Sequence, residues 1–244
     1  MNKQLSDLSI ELFADGADLS GMIKIANEPY IKGLTTNPTL MRKSGLTNYV
    51  SFAREVLSNI RNKPISFEVF SDDLNEMILQ GKEIASWGDN VFVKIPITNT
   101  KGESTANVIS HLTSRGIKVN ITAVMTLPQV KSVMGVLNPN VESNISIFAG
   151  RIADTGVDPI PVMVDCLNEI RSNPQIKLIW ASPRELLNIF QADSIGCHII
   201  TATSDILNKI NLIGYSLNDY SLDTVKMFHK DAINAGYEIP IEIS

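Results

Sequence analysis

The chain has 244 residues, a length for one large domain or two small ones and a common one for a single α/β barrel. Apolar residues at 44% and charged residues at 19% are the balance of a globular protein and exclude a disordered composition. The net charge of −5, with no basic block, gives no support to nucleic-acid binding, although local arginines can still serve an anionic ligand.

At the N-terminus, residues 1–20 hold no long apolar core, so neither a signal peptide nor a membrane anchor is expected and the chain reads as cytoplasmic. Short β-rich runs then recur at Ile10–Ala14, Ile31–Leu34, Ser66–Val69, Val91–Ile95, Val119–Ala123, Asn144–Phe148, Lys177–Ala181 and Cys197–Ile200. Helical patterns lie between them, at Asn48–Asn59, Leu74–Ser86, Thr105–Arg115, Leu127–Val136, Val162–Arg171 and Pro183–Phe190. Alternating β and α elements predict a parallel sheet with right-handed crossovers, and eight strands predict a closed (β/α)8 TIM barrel of the α/β class. No glycine-rich phosphate loop follows any strand, which argues against an open doubly wound sheet. No linker divides the chain, so a single barrel domain over residues 1–244 is expected, with a C-terminal helical extension from about residue 205. Its pieces lie near Asp205–Ile210 and Leu222–Ala235. The second has one apolar side (Leu222, Val225, Met227, Phe228 and Ala232), for covering the barrel or packing on a neighbouring subunit.

Cys166 and Cys197 are far apart and form no metal motif, and His111, His198 and His229 include no pair at ligand spacing. Free buried thiols in a reducing compartment account for both cysteines.

Lys94 is the most informative single residue. It stands in Val91-Phe92-Val93-Lys94-Ile95-Pro96, a run that reads as a strand buried on both faces. Desolvation there disfavours an ammonium, and a neutral amine on a rigid strand is the nucleophile that forms a Schiff base with a ketone. A lysine that snorkels from the strand end or pairs with a carboxylate is the alternative.

Barrel chemistry gathers at the C-terminal ends of the strands. The polar residues there are Asp15 after the first strand, Thr35-Thr36-Asn37-Pro38 after the second and Glu68 in the third. Next come Lys94 in the fourth, Asn120 and Thr122 in the fifth, Ser146 and Arg151 with Phe148 at the sixth, and Ser182 and Arg184 after the seventh. Each has a structural alternative. Asp15-Gly16 is a turn signal, and Asn37 before Pro38 is a helix N-cap. Glu68 can form a buried pair with Lys94, and Arg151 a loop ion pair with Asp154. Ser182-Pro183-Arg184-Glu185 reads as a capping box with Ser182 as N-cap, a role compatible with anion binding at a helix N-terminus.

The segments Phe13-Ala14-Asp15, Gly33-Leu34-Thr35-Thr36-Asn37-Pro38-Thr39, Val93-Lys94-Ile95-Pro96, 116–122, Phe148-Ala149-Gly150-Arg151-Ile152 and Ala181-Ser182-Pro183-Arg184 resemble the transaldolase family, which includes the small fructose-6-phosphate aldolases. They occur in family order over nearly the whole chain. The resemblance implies class I aldol chemistry with no metal or organic cofactor. Lys94 would be the Schiff-base lysine, Asp15 the acid/base for the C4 hydroxyl, Glu68 the carboxylate acting through a water, and Thr122 the residue that positions this water. Asn37 and Asn120 would hold ketose hydroxyls, with Thr36 and Ser146 in the same pocket, and Arg151, Ser182 and Arg184 would bind phosphate.

Glu68 stands where the aldolase branch usually carries glutamine, and Phe148 where that branch tends to have tyrosine, so the resemblance implies group transfer before simple cleavage. A fructose-6-phosphate aldolase or related sugar aldolase is the alternative, and a silent sugar-phosphate-binding protein the second. Gly16 and Pro183 depart from the family pattern and bear on the acceptor. The implied partners are small sugar phosphates, with no nucleic acid and no membrane. A homo-oligomer is implied, a dimer as in larger relatives or a ring as in smaller ones.

Overall fold

The computed structural model describes residues 4–241. In chain order the elements of the first part are β1 (Glu11–Asp15), α1 (Leu19–Ala26), β2 (Ile31–Thr35), α2 (Pro38–Lys43), α3 (Tyr49–Asn59), β3 (Ile65–Glu68), α4 (Leu74–Ala85) and β4 (Val91–Pro96). There follow α5 (Ala106–Thr113), β5 (Val119–Val124), α6 (Leu127–Met134), β6 (Ser143–Ile147), α7 (Ala149–Asp154), α8 (Pro159–Ile170), β7 (Ile176–Trp180), α9 (Leu187–Ser194), β8 (Ile199–Thr203), α10 (Ser204–Leu207) and α11 (Leu217–Asn234). The strands close into a barrel in sequence order, with parallel pairing throughout and β8 returning to β1.

Every predicted strand is present with small shifts at its ends. The additional helices α1 and α7 are short, with eight and six residues, so each carries little of the periodicity by which a helix is read. Local caps start several helices: Asp18, Asn48, Asp73 and Ser216 accept from backbone N–H groups one turn ahead, and Thr126 with Gln129 completes a capping box.

Strand sequences rich in Ile, Val and Leu are buried on both faces, as a barrel covered by helices requires. Helices bury one stripe each: in α3 it is Phe52, Ala53, Val56 and Leu57. Inside the barrel Phe13, Ile179, Ala181 and Ile199 form a packed floor. Gly33 makes room for it, since a Cβ there would stand 2.4 Å from the Phe13 ring. A filled interior leaves the C-terminal rim as the place for polar groups.

The described residues fall into two compact units, one of Leu8–Asn208 and the other from the stretches 4–7 and 209–241. The second unit contains α11, whose Leu217, Val225, Phe228 and Ile233 are exposed. Among the described residues no helix is long and apolar enough to cross a membrane.

Candidate active site

A cavity of about 470 Å3 opens at the C-terminal ends of the strands, within the size range of small-molecule sites. Of the residues singled out from sequence, Asp15, Asn37, Glu68, Lys94, Thr122, Ser146, Phe148, Arg151, Ser182 and Arg184 line it. Their strands are spread over the whole chain, and only closure of the barrel brings them together.

Lys94 is 6% exposed. Its Nζ donates to the Thr36 carbonyl at 2.8 Å and lies 3.4 Å from the Glu68 carboxylate. Glu68, Lys94 and Asn120 are register partners on consecutive strands, so their side chains occupy one row. Burial raises the Glu68 carboxyl, against the lowering effect of Lys94, and the charge of Asp15 raises it further. Asp15 ends β1. It accepts from Thr35 Oγ1 at 2.8 Å and from Asn37 Nδ2 at 2.9 Å, so it is a member of the polar cluster, and no turn or bend follows it at residues 16–18. Burial raises its carboxyl as well, while Lys94, Thr35 and Asn37 hold it down. Two half-buried carboxyls face one amine, an arrangement that favours a proton on one of the acids.

Asn37 does two jobs at once. Its Oδ1 accepts from Leu40 N–H as the cap of α2, with Pro38 at the first helical position, and its Nδ2 binds Asp15. Thr36 and Asn120 lie behind the cavity wall, fully buried. The Thr36 hydroxyl donates to Ser66 C=O, and Asn120 links the Ser66 and Ser146 hydroxyls at 2.9 and 2.7 Å. That chain crosses from β3 to β6 beneath the cavity and fixes the Ser146 side chain. The Thr122 hydroxyl is buried on the wall with no partner among the described residues, an available donor and acceptor.

On the β6–β7 side the structure decides against two of the structural alternatives. Ser182 is not a helix N-cap: its φ is +60°, and α9 begins only at Leu187. Asn188 instead reaches back from inside α9 and accepts from the N–H groups of Arg184 and Glu185 at 2.7 and 3.0 Å. The left-handed turn at Ser182 presses its carbonyl against α7, where a Cβ on Gly150 would lie 1.5 Å from that oxygen. Only glycine fits there. The second concerns Asp154, which pairs with Arg184, through both Nε and Nη2, rather than with Arg151. This pairing holds the Asp154 carboxyl below the usual carboxylate range and raises Arg184. The Arg151 guanidinium has no protein hydrogen bond among the described residues and lies over the Phe148 ring, 5.8 Å from its centre. Phe148 itself packs on the apolar floor.

The sequence did not single out Thr201 and Thr203 at the end of β8, which also line the cavity. Thr35 and Thr201 share a hydroxyl contact of 2.6 Å, which extends the Asp15 network to β8, and Thr203 bonds to Asp205 at the rim. Thr35 belongs to the Thr-Thr-Asn-Pro motif already read from the sequence, whereas no local motif marks Thr201 or Thr203. Among the described residues no group of three or more His, Cys, Asp or Glu is placed to hold a metal ion.

A sequence model of the family described as Transaldolase/Fructose-6-phosphate aldolase matches residues 12–239. The chain is 30% identical over 233 residues to a probable transaldolase of Thermoanaerobacter sp., covering 94% of this chain and 100% of the relative. It is 31% identical over 202 residues to a probable transaldolase of Dehalococcoides mccartyi, covering 82% and 90%. A solved structure described as native KDPGal aligns with a TM-score of 0.54 at 12% identity, over 84% of this chain and 86% of that one, a likeness of fold.

Proposed function

The chain belongs to the transaldolase/fructose-6-phosphate aldolase family, and on that premise we propose that it transfers a dihydroxyacetone unit from a ketose phosphate to an aldose phosphate through a Schiff base on Lys94. The observation that carries this reading is the placement of the Lys94 amine: nearly buried on the cavity wall, 3.4 Å from one raised carboxyl and within the field of another. It is the only lysine among the lining residues.

In this reading the amine adds to the C2 carbonyl of the donor. Loss of the C2 oxygen as water, with a proton supplied by Glu68 directly or through a water on Thr122, gives an iminium. Asp15 takes the proton of the C4 hydroxyl, the C3–C4 bond breaks, and the electron pair moves into the iminium to leave an enamine. The aldose phosphate departs. The enamine then adds to the aldehyde of an acceptor, Asp15 returns its proton to the new hydroxyl, and water releases the product ketose and the free amine. Raised carboxyls suit these steps, since each acid must both hold and give up a proton. Arg151, Arg184 and the Ser182 turn supply charge and donors for the phosphate. Phe148 walls the pocket without a hydroxyl, and so offers the enamine no proton.

Two measurements test the reading. Borohydride added with ketose phosphate should raise the mass of the Lys94 peptide by the reduced three-carbon adduct; no adduct with any ketose phosphate refutes the Schiff base. Donor supplied alone should give at most one equivalent of aldose phosphate. Sustained release of dihydroxyacetone would make the protein an aldolase instead.

A further inference from the structure

Tyr49, the first residue of α3, is outside the cavity lining, yet its hydroxyl meets the backbone of Glu68 twice. It accepts from Glu68 N–H at 2.8 Å and donates to Glu68 C=O at 3.1 Å. The β2–β3 ladder explains why these two groups are available. Its rungs run from Leu34 N–H to Pro64 C=O at 2.9 Å and from Thr36 N–H to Ser66 C=O at 3.3 Å, a step of two residues. The next rung would carry the N–H of residue 38 to Glu68 C=O, and residue 38 is a proline with no N–H. The same continuation would send Glu68 N–H to the carbonyl of Thr36. That carbonyl accepts from the Lys94 amine instead.

We propose that Tyr49 is a positioning residue for the reaction centre: its hydroxyl takes both β2-facing backbone groups of Glu68 and so leaves the Thr36 carbonyl free to hold the Lys94 amine beside the Glu68 carboxylate. One small group thus ends a strand pairing and keeps open the place where the amine rests. The ring is fixed for this task, edge-on to Phe70, Trp87 and Phe67 at centroid distances of 4.6, 5.7 and 6.2 Å. Burial pushes the phenol up, so it keeps the proton it needs to donate and accept together. The chain beyond is held away from β2 in the same manner, by Gln80 Oε1, which accepts from Phe70 and Ser71 N–H at 2.8 and 3.0 Å.

The kinetic half of this inference rests on Lys94 acting through a Schiff base; the geometric half does not. Tyr49→Phe keeps the ring and removes only the hydroxyl. In the folded variant kcat is expected to fall about tenfold to a hundredfold, as for a displaced reacting group, with donor KM within about threefold. The rate of borohydride-trapped adduct should fall by the same factor. Glu68→Gln should cost less in the Tyr49→Phe background than alone, because both act on one arrangement. Wild-type kcat and trapping rate in Tyr49→Phe overturn the proposal, whatever the melting temperature does.

A measurement without sugar separates the two readings: reductive methylation of Lys94 by formaldehyde and cyanoborohydride, followed by peptide mass. Its rate should change several-fold in Tyr49→Phe, and an unchanged rate overturns the proposal even where no ketose phosphate forms an adduct. If Tyr49→Phe does not fold, Pro38→Ala restores the missing N–H and lets β2 compete for Glu68. Its Lys94 methylation rate should then shift in the same direction as the loss of the Tyr49 hydroxyl predicts, toward an amine no longer tied to Thr36; no shift overturns the proposal.

Discussion

On the β1–β4 side of the cavity, Asp15, Glu68 and Lys94 are held in place by Thr35, Thr36 and Asn37 in a buried network. On the β6–β7 side, Arg151 and Arg184 are exposed, one over an aromatic ring and the other paired with a surface aspartate. In the proposed reaction the two sides have different tasks. Proton transfer depends on which state a carboxyl occupies, and only a desolvated, fully coordinated group has that state set by the protein. Capture of a phosphate needs charge and donors that can be reached from solvent, where each ion pair contributes little by itself.

Substitutions on the two sides should therefore differ in kind as well as in size. Lys94→Ala should have the largest effect, lowering kcat by at least about 10^4-fold with circular dichroism unchanged, because no neighbouring group can replace the amine. Retained turnover would refute the mechanism. Asp15→Asn keeps the contacts of one oxygen and removes the proton acceptor, so kcat should fall by about 10^2–10^4-fold with little change in KM. A KM effect of that size with normal kcat would move Asp15 from chemistry to binding.

Across the cavity, Arg151→Ala should raise KM for a phosphorylated donor about 10–100-fold while kcat holds, the value of one or two charge-assisted hydrogen bonds. Donors without phosphate should be indifferent to it. Asp154→Ala, which only releases Arg184, should raise that KM by no more than about fivefold. Equal losses in both variants would mean that the pair acts as a unit.

The smallest effect is on stability against pH. Asp15 and Glu68 are raised in the fold above their ordinary values of 3.8 and 4.5, so the folded chain binds more protons than the unfolded one above those values. Their contribution is fully present below about pH 4 and is lost as pH rises through the raised values. The Asp15→Asn, Glu68→Gln double variant should thus gain in melting temperature on wild type as pH rises above about 4.5. A difference in melting temperature that does not change with pH would contradict the burial argument for both acids.

Most of the fold could be read along the chain because its signals are local. Val91-Phe92-Val93 announces a doubly buried strand without reference to any other residue, and Asn37-Pro38 announces a helix start that the structure contains. The same locality misled at Ser182. Ser-Pro-Arg-Glu has the residue types of a capping box, but the close approach of α7 at Gly150 goes with a left-handed turn that a cap cannot adopt. Arg151 and Asp154, three apart, looked like partners. Arg184, thirty residues beyond Asp154, takes the carboxylate instead.

The sequence by itself determined the alternation of elements, the lysine in a buried strand and the residue types available at each strand end, because periodicity and side-chain chemistry are properties of short segments. Only the tertiary structure decided which of those residues meet. Thr201 reaches Thr35 and, through it, Asp15 because the barrel closes β8 onto β1, and the Tyr49 hydroxyl reaches Glu68 where proline stops the ladder. Such contacts depend on strand register and closure, which are set by the packing of the whole barrel and leave no pattern in any one stretch of chain.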